Sequence, residues 1–339
     1  LLSKGYEVHG IVRRVALEDE THRLWRIRNI LEDIHLHPGS LESYARIFNI
    51  VLKVKPDEIY HLGAQSYVGY SFEDEFSTLN TNINGTHYIL SAIKDFSPNT
   101  KFYFAGSSEM FGKVKETPQT EKTPFYPRSV YGISKVAGYD LTRNYREAYN
   151  MYCCSGILFN HESPRRGFEF VTRKISLAVA KIKNNLQKEL RLGNIKAMRD
   201  WGHAKDYVEM QWLMLQQEKP EDFVIASGEQ YSVRQFILWS ANELGIEIEF
   251  EGTGLSEIGI VKDVKDSSKT KLRTGEIIIR VDPRYFRQSE VDTLLGDPSK
   301  ARNKLNWKPK ISAQEMCAEM IKEDLKIAKK LAILESHGY

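Results

Sequence analysis

Short apolar runs at residues 6–13, 58–63, 101–105 and 154–160 alternate with stretches at 41–52, 76–95 and 131–149 whose apolar residues recur every three and four positions. A strand followed by an amphipathic helix, repeated, buries both apolar faces by laying the strands parallel and carrying the helices across the sheet. The first half is therefore expected to be an α/β, doubly wound parallel sheet. Such sheets bind ligands at the carboxyl ends of their strands, which is where the search for chemistry begins.

After about residue 162 the pattern is mixed. Helices are expected near 171–184, 204–217, 232–244 and 313–331, with short strands at 190–193, 223–226, 246–251 and 277–281. The polar stretch 252–275, rich in Gly, Ser, Lys and Asp, reads as a surface excursion. At 339 residues the chain exceeds one compact domain. With no repeat and no linker, two interleaved lobes are expected: a dinucleotide-binding part, 1–161, and a smaller mixed α/β substrate-binding lobe, mainly 162–339.

The net charge of +3 rests on 48 basic and 45 acidic residues, too balanced to propose nucleic acid as a partner, so any anion site must be local. Cys153, Cys154 and Cys317 lack metal-ligand spacing, and the adjacent pair cannot easily bridge. No metal is expected, and a reducing cytoplasmic setting fits. No apolar run approaches the roughly 20 residues of a bilayer span, and no basic-then-apolar leader stands at the start, so no membrane partner is expected. Leu1-Leu2-Ser3-Lys4-Gly5 reads as the last turn of a helix with its Gly stop. A glycine-rich pyrophosphate turn is absent, and about twenty residues of strand, turn and helix are expected upstream to supply it.

Tyr131-Gly132-Ile133-Ser134-Lys135 opens a helical stretch. A tyrosine and a lysine four apart share a helical face, so the ammonium is expected to favour the ionised phenol and lower its pKa, making a general base for an alcohol. With 17 tyrosines the motif also arises by chance, as a surface pair. The run 101–105 leads into Gly106-Ser107-Ser108-Glu109, which puts hydroxyls and one carboxylate at the end of a central strand. Ser107 and Ser108 would also serve simply as caps of a following turn.

Cofactor choice follows from the next strand end. An acid there meets the adenosine ribose of NAD, whereas arginine accommodates the 2′-phosphate of NADP. Val12-Arg13-Arg14 favours NADP, although paired arginines also serve as a solvated edge. Leu62-Gly63-Ala64-Gln65-Ser66 offers small residues where backbone can approach the nicotinamide side.

Longer blocks carry a resemblance. Residues 5–14 (GYEVHGIVRR), 124–129 (PFYPRS), 156–167 (GILFNHESPRRG), 170–175 (FVTRKI), 199–202 (RDWG) and 289–292 (SEVD) together resemble the GDP-mannose 4,6-dehydratase family of extended short-chain dehydrogenases/reductases. The resemblance implies a Rossmann-type sheet, NADP, a GDP-linked sugar as substrate, and a homodimer or homotetramer. It implies that Tyr131, supported by Lys135, takes the C4 hydroxyl proton while hydride passes to NADP. Glu109 would then remove the C5 proton and assist loss of the C6 hydroxyl as water, with Ser107 holding the C4 oxygen.

Around NADP it places Arg13, Leu62, Ala64, Gln65, Ser66, His161 and Arg166, beside Tyr131 and Lys135. Around the GDP-sugar it places Ser66, Ser108, Glu109, Asn160, Lys174, Arg199, Arg287 and Glu290. Arginine suits a pyrophosphate because its planar fork binds two oxygens at once, although Arg199 and Arg287 could equally be structural ion pairs.

The chain departs from the family pattern at several positions. Ser107 stands for a usual threonine and Gly106 for a usual serine, which implies a slightly larger pocket and GDP-manno-heptose as a possible substrate beside GDP-mannose. Ser40 replaces an aspartate near the adenine, Gln288 replaces a proline, and 252–275 is longer than usual. Two further readings stay open: an NADP-dependent reductase or epimerase on the same fold, and a non-catalytic NADP-binding regulatory protein. Neither needs a carboxylate at Glu109.

Overall fold

The computed structural model describes residues 1–13, 23–266, 268, 270–286, 291 and 293–338. The first half contributes β1 (Val8–Val12), β2 (Ile34–Pro38), β3 (Glu58–His61), β4 (Lys101–Ala105) and β5 (Cys153–Leu158). Short strands follow: β6 (Asn160–Glu162), β7 (Leu190–Leu192), β8 (Met198–Arg199) and β9 (Trp201–His203). The remainder are β10 (Phe223–Ile225), β11 (Tyr231–Ser232), β12 (Ile246–Glu251), β13 (Ile258–Val264), β14 (Ile277–Val281) and β15 (Thr293–Leu294). The chain enters β1 from a helical turn, Leu2–Lys4, stopped by Gly5 at φ 82°.

Strands β3, β4, β5 and β10 form a parallel sheet in the order β10-β5-β4-β3, and β1 pairs in parallel with β2 as a separate ribbon. Side-chain alternation decides what each face of the larger sheet buries. Phe102 and Phe104 of β4, with Cys153 and Ile157 of β5, pack against the helices Tyr44–Val54, Gly85–Phe96 and Val130–Tyr149. Tyr103, Ala105, Cys154 and Leu158 point the other way, onto Ala204–Leu215 and Ser299–Leu305. Every residue of β5 is buried, as a parallel strand covered on both faces must be.

A third core lies under the mixed sheet β12-β13-β14-β7, between the helices Val171–Lys183, Val233–Glu243 and Ala313–Ser336. Arg173 and Asp324 are fully buried in it and ion-paired at 2.7 Å. Two small joints, β6-β9 and β11-β8-β15, connect this region to the parallel sheet. Between β8 and β9, the buried Asp200 accepts the Ser227 and Gly228 N–H groups at 2.8 and 3.0 Å, and also the Ser227 hydroxyl. No helix among the described residues is long and apolar enough to cross a membrane.

One expectation is corrected. Residues 252–275 are not a plain surface excursion: β13 runs through them as an inner strand, antiparallel to both β12 and β14, with Val261 fully buried. Polar neighbours hide the short Ile-Gly-Ile-Val run, and bulges on both sides break the two-residue alternation that would have revealed it. Strand β2 was missed for a similar reason: three of its five residues are His or Pro.

Candidate active site

The carboxyl end of β4 turns because Ser107 caps it. Its hydroxyl accepts the Glu109 N–H at 3.2 Å and closes the turn Ser108–Met110. Ser129 caps the Val130–Tyr149 helix in the same way, accepting the Gly132 N–H at 3.0 Å. Tyr131 therefore sits in the first turn and Lys135 one turn on, along the same face. Gly132 lets turn and helix meet, since a Cβ there would fall 2.8 Å from the Glu109 carbonyl oxygen.

This packing brings Ser107, Glu109 and Tyr131 together. The Ser107 hydroxyl hydrogen-bonds the Tyr131 phenol while capping its own turn. Tyr131, Ser107, Ser108 and Lys135 are buried, and Glu109 is half-buried. Burial pushes the Tyr131 phenol up to about 12; the Ser107 bond and the nearby Arg166 pull it down, and the Glu109 carboxylate pushes it up. The expected lowering by Lys135 is thus overturned in this state. The Lys135 Nζ donates to the Ala105 carbonyl at 2.8 Å and lies 5.8 Å from the Tyr131 ring centre, so desolvation of the phenol dominates. Burial brings the ammonium itself down to about 8.

The loop after β3 stands opposite. Leu62 and Ser66 are exposed, Ala64 and Gln65 half-buried. Asn82, which sequence reasoning did not single out, holds this loop to the tyrosine helix. Its side chain accepts the Gln65 N–H at 2.8 Å and donates to the Gln65 carbonyl at 3.0 Å and to Ser134 Oγ at 2.9 Å. It lies in a π-helical turn, Asn80–Asn84, a local irregularity no spacing rule anticipates. Arg13 is exposed at the end of β1, while Arg14 lies outside the described residues. An open strand end lined by small residues, with a cation at the end of β1, could hold a phosphorylated dinucleotide.

His161 and Arg166 close the other side. The His161 Nδ1–H donates to the Phe159 carbonyl at 3.0 Å and the ring stacks on Tyr207 at 4.9 Å, leaving Nε2 as the acceptor. Burial brings its pKa down to about 4, so it is neutral. Arg166 pairs with the buried Glu162 at 3.0 Å and lies 3.6 Å over the Phe170 ring. Phe170 meets Tyr67 of the β3 loop edge-on at 6.1 Å, so that loop touches the segment leading into the Val171–Lys183 helix.

Lys174, one turn beyond Phe170, lines a groove of about 300 Å³ together with Phe168, Lys181, Glu189, Arg191 and Tyr285. Its Nζ lies 3.5 Å over the Tyr285 ring. Glu189 holds Arg191 and Arg280, and Asp282 holds Arg191 and Arg284; Asp282 is kept well below the usual carboxylate range by the Arg284 bonds. Sequence reasoning missed Arg191, although Leu190-Arg191-Leu192 alternates as a strand with its arginine outward. Asn160 has a buried Oδ1 without a hydrogen-bond partner, as a residue awaiting a ligand does. Arg199 is buried on β8, its guanidinium donating to the Met198 carbonyl, away from the groove lining. Arg287 and Glu290 lie outside the described residues.

The expectation of a larger pocket at Gly106 is not supported. A Cβ there would lie 2.9 Å from the Gly156 carbonyl oxygen and 3.2 Å from Met110, so the missing side chain relieves packing between β4 and β5.

A profile of the family GDP-mannose 4,6 dehydratase matches residues 1–320. The chain is 54% identical to a GDP-mannose 4,6-dehydratase of Vibrio cholerae over 348 aligned positions, covering 100% of this chain and 92% of that one. It is 48% identical to the human GDP-mannose 4,6 dehydratase, covering 96% and 87%. Among solved structures, RMD from Pseudomonas aeruginosa complexed with NADPH superposes with a TM-score of 0.71 at 22% identity, covering 89% of this chain and 95% of that one. A dTDP-glucose 4,6-dehydratase from Bacillus anthracis in complex with NAD gives 0.74 at 17% identity, covering 97% and 92%. These two likenesses bear on the fold.

Proposed function

The chain belongs to the GDP-mannose 4,6-dehydratase family, and from that premise we propose how its residues divide the work of a GDP-sugar 4,6-dehydratase, an NADP-dependent hydro-lyase. The observation that carries the assignment is the convergence of Ser107, Glu109 and Tyr131 at the end of β4. A reductase needs a proton donor but no second base, and a binding module needs neither.

Tyr131 is the general base at the C4 hydroxyl. Its phenol is buried and already bonded to Ser107, which steadies the C4 oxygen. Glu109, the half-buried carboxylate beside it, takes the C5 proton once C4 is a ketone and delivers a proton to the departing C6 hydroxyl, so one carboxylate serves as base and then as acid. Lys135, anchored on Ala105, orients the cofactor ribose and adds positive charge beside the phenol. Arg13, Leu62, Ala64, Gln65, Ser66, His161 and Arg166 hold NADP, and the fit rests on the exposed strand ends described above. Bound there, NADP supplies a reversible hydride acceptor, so that oxidation at C4 and reduction at C6 balance.

The GDP moiety takes the groove behind Lys174, where Arg191 and Tyr285 offer a fork and an aromatic face. Ser66, Ser108, Asn160, Arg287 and Glu290 complete the sugar and pyrophosphate contacts; Arg199, turned to the Met198 carbonyl and outside the groove lining, is left out of the set. The lobes divide near residue 161; β10, from beyond that point, pairs with β5, which supports interleaving. Phe76 and Ile133, 87% and 49% exposed on neighbouring helices, support a homodimer through that face. Three buried, unpaired cysteines support a cytoplasmic setting.

GDP-mannose is the substrate we assign. Incubating the protein with NADP and GDP-mannose, or separately GDP-manno-heptose, and following the nucleotide sugar by mass spectrometry should show loss of one water from the hexose. Loss from the heptose alone would reassign the sugar. Loss from neither, with NADP bound, would overturn the dehydratase reading.

A further inference from the structure

The β1–β2 ribbon carries a second cluster of chemistry, at the opposite end of β1 from Arg13. Parallel register sets His9 directly beside His35, and their rings stack at 4.8 Å. Glu7 Oε1 lies 2.9 Å from His9 Nε2 and 3.4 Å from His35 Nε2. The three atoms lie within 4.8 Å of one another. Behind them, His9 Nδ1 is 2.9 Å from His37 Nε2.

We propose that Glu7, His9 and His35 form a surface site for a divalent transition-metal ion of the Zn²⁺ class, with His37 as the outer partner that orients His9. Ligands at about 2.1 Å from a tetrahedral ion stand about 3.4 Å apart. The Glu7–His35 edge already has that length, and the Glu7–His9 edge is short by about half an ångström. Two imidazoles and one carboxylate suit Zn²⁺, Co²⁺ or Ni²⁺, whereas Mg²⁺ and Ca²⁺ take oxygen ligands. The site is open to solvent, with side chains of Glu7, His35 and His9 exposed by 72%, 62% and 26%, which leaves water for the fourth position.

The outer contact completes the design. Before an ion binds, the His9 Nε2–H donates to Glu7 and Nδ1 accepts from His37. Coordination needs the Nε2 lone pair, so His9 moves its proton to Nδ1, which donates to His37 Nε2, and His37 moves its own proton from Nε2 to Nδ1. Both rings change tautomer through solvent with no net proton lost. Lys53 and Arg46 also face His37. Lys53 and Arg46 come from the helix Tyr44–Val54, and Arg46 is itself bound to the Pro38 carbonyl at 2.7 Å. The ion would clip two strands that pair only with each other among the described residues.

Calorimetric titration of Zn²⁺ into the untagged, chelator-stripped full chain at neutral pH tests this. One ion per chain is expected, with Mg²⁺ giving no binding. His9→Gln, His35→Gln and Glu7→Gln should each weaken binding at least tenfold, and His37→Gln by about tenfold, as loss of an outer partner does. All four sites are on the ribbon surface, and unchanged circular dichroism establishes that each variant is folded. Unchanged affinity in His9→Gln or His35→Gln, or no binding at millimolar Zn²⁺, would overturn the proposal.

Discussion

Lys135 places its Nζ 2.8 Å from the carbonyl oxygen of Ala105, so an ammonium on the tyrosine helix is tied to the end of β4 inside a closed core. The contact orients the lysine, and burial makes its charge costly: its folded pKa of about 8 lies below the unfolded 10.5. Between those values the unfolded chain binds the proton and the folded one does not, so stability rises with pH from 8 to 10.5, by about 3 kcal/mol. Urea unfolding across that range should show the rise in the native protein and lose it in Lys135→Met. A rise that persists in the variant would assign it to other groups.

Removing the Glu109 carboxylate should separate binding from elimination. Glu109→Gln is expected to bind NADP as the native protein does and to lose dehydration by roughly 10²–10⁴. In deuterated water its GDP-mannose should return without deuterium at C5. Exchange at C5 at the native rate would remove Glu109 from the role of base.

Tyr131→Phe deletes the base and should abolish turnover while leaving the fold intact, because the ring stays buried. With the phenol held near 12, activity of the native enzyme should climb with pH until ionisation of the base ceases to limit it. A flat pH profile across neutrality would argue for another base.

Acid should loosen the fold through two buried imidazoles. His61, bonded to Thr86 at 3.0 Å, and His161 have folded pKa values of about 3 and about 4, below the unfolded 6.5. Stability present above pH 6.5 is lost as pH falls, by about 1.4 kcal/mol per pH unit for each ring. Asp200, raised to about 6 by burial, works in the opposite sense and cancels about one ring's slope between pH 6 and 4. Replacing His61 with Gln should halve the acid sensitivity left in an Asp200→Asn background; an unchanged slope would clear His61.

The buried Arg173–Asp324 pair predicts a large asymmetric effect. Asp324→Ala leaves a guanidinium with no carboxylate in a closed core and should cost about 3–5 kcal/mol in unfolding free energy. Replacing both residues with Met and Leu should cost much less, because no lone charge remains. Equal losses in the single and double variants would show that packing, not charge, sets the cost.

Much of the fold could be read directly from residue spacing. The run 101–105 is β4, and the helices at 130–149, 171–183 and 313–336 fall where three- and four-residue periodicity put them. Ser107, Glu109, Tyr131 and Lys135 were legible as a set because two come from one strand end and two from one helical turn, both short-range patterns. Arg191 and Asn82 were not, since a groove wall and a π turn depend on which elements meet. β13 escaped for the same reason: its partners β12 and β14 supply the pattern its own residues lack.

The sequence by itself determined the alternation that makes a parallel sheet, the serine cap at the end of β4, and the candidate acid–base residues, because these depend on neighbours within a turn or a strand. Only the tertiary structure decided the state of those residues. The phenol of Tyr131 is raised and not lowered, since desolvation depends on everything packed around it. Likewise Gly106 relieves a strand contact instead of opening a pocket, and His9 and His35 become neighbours only when β1 and β2 pair in register.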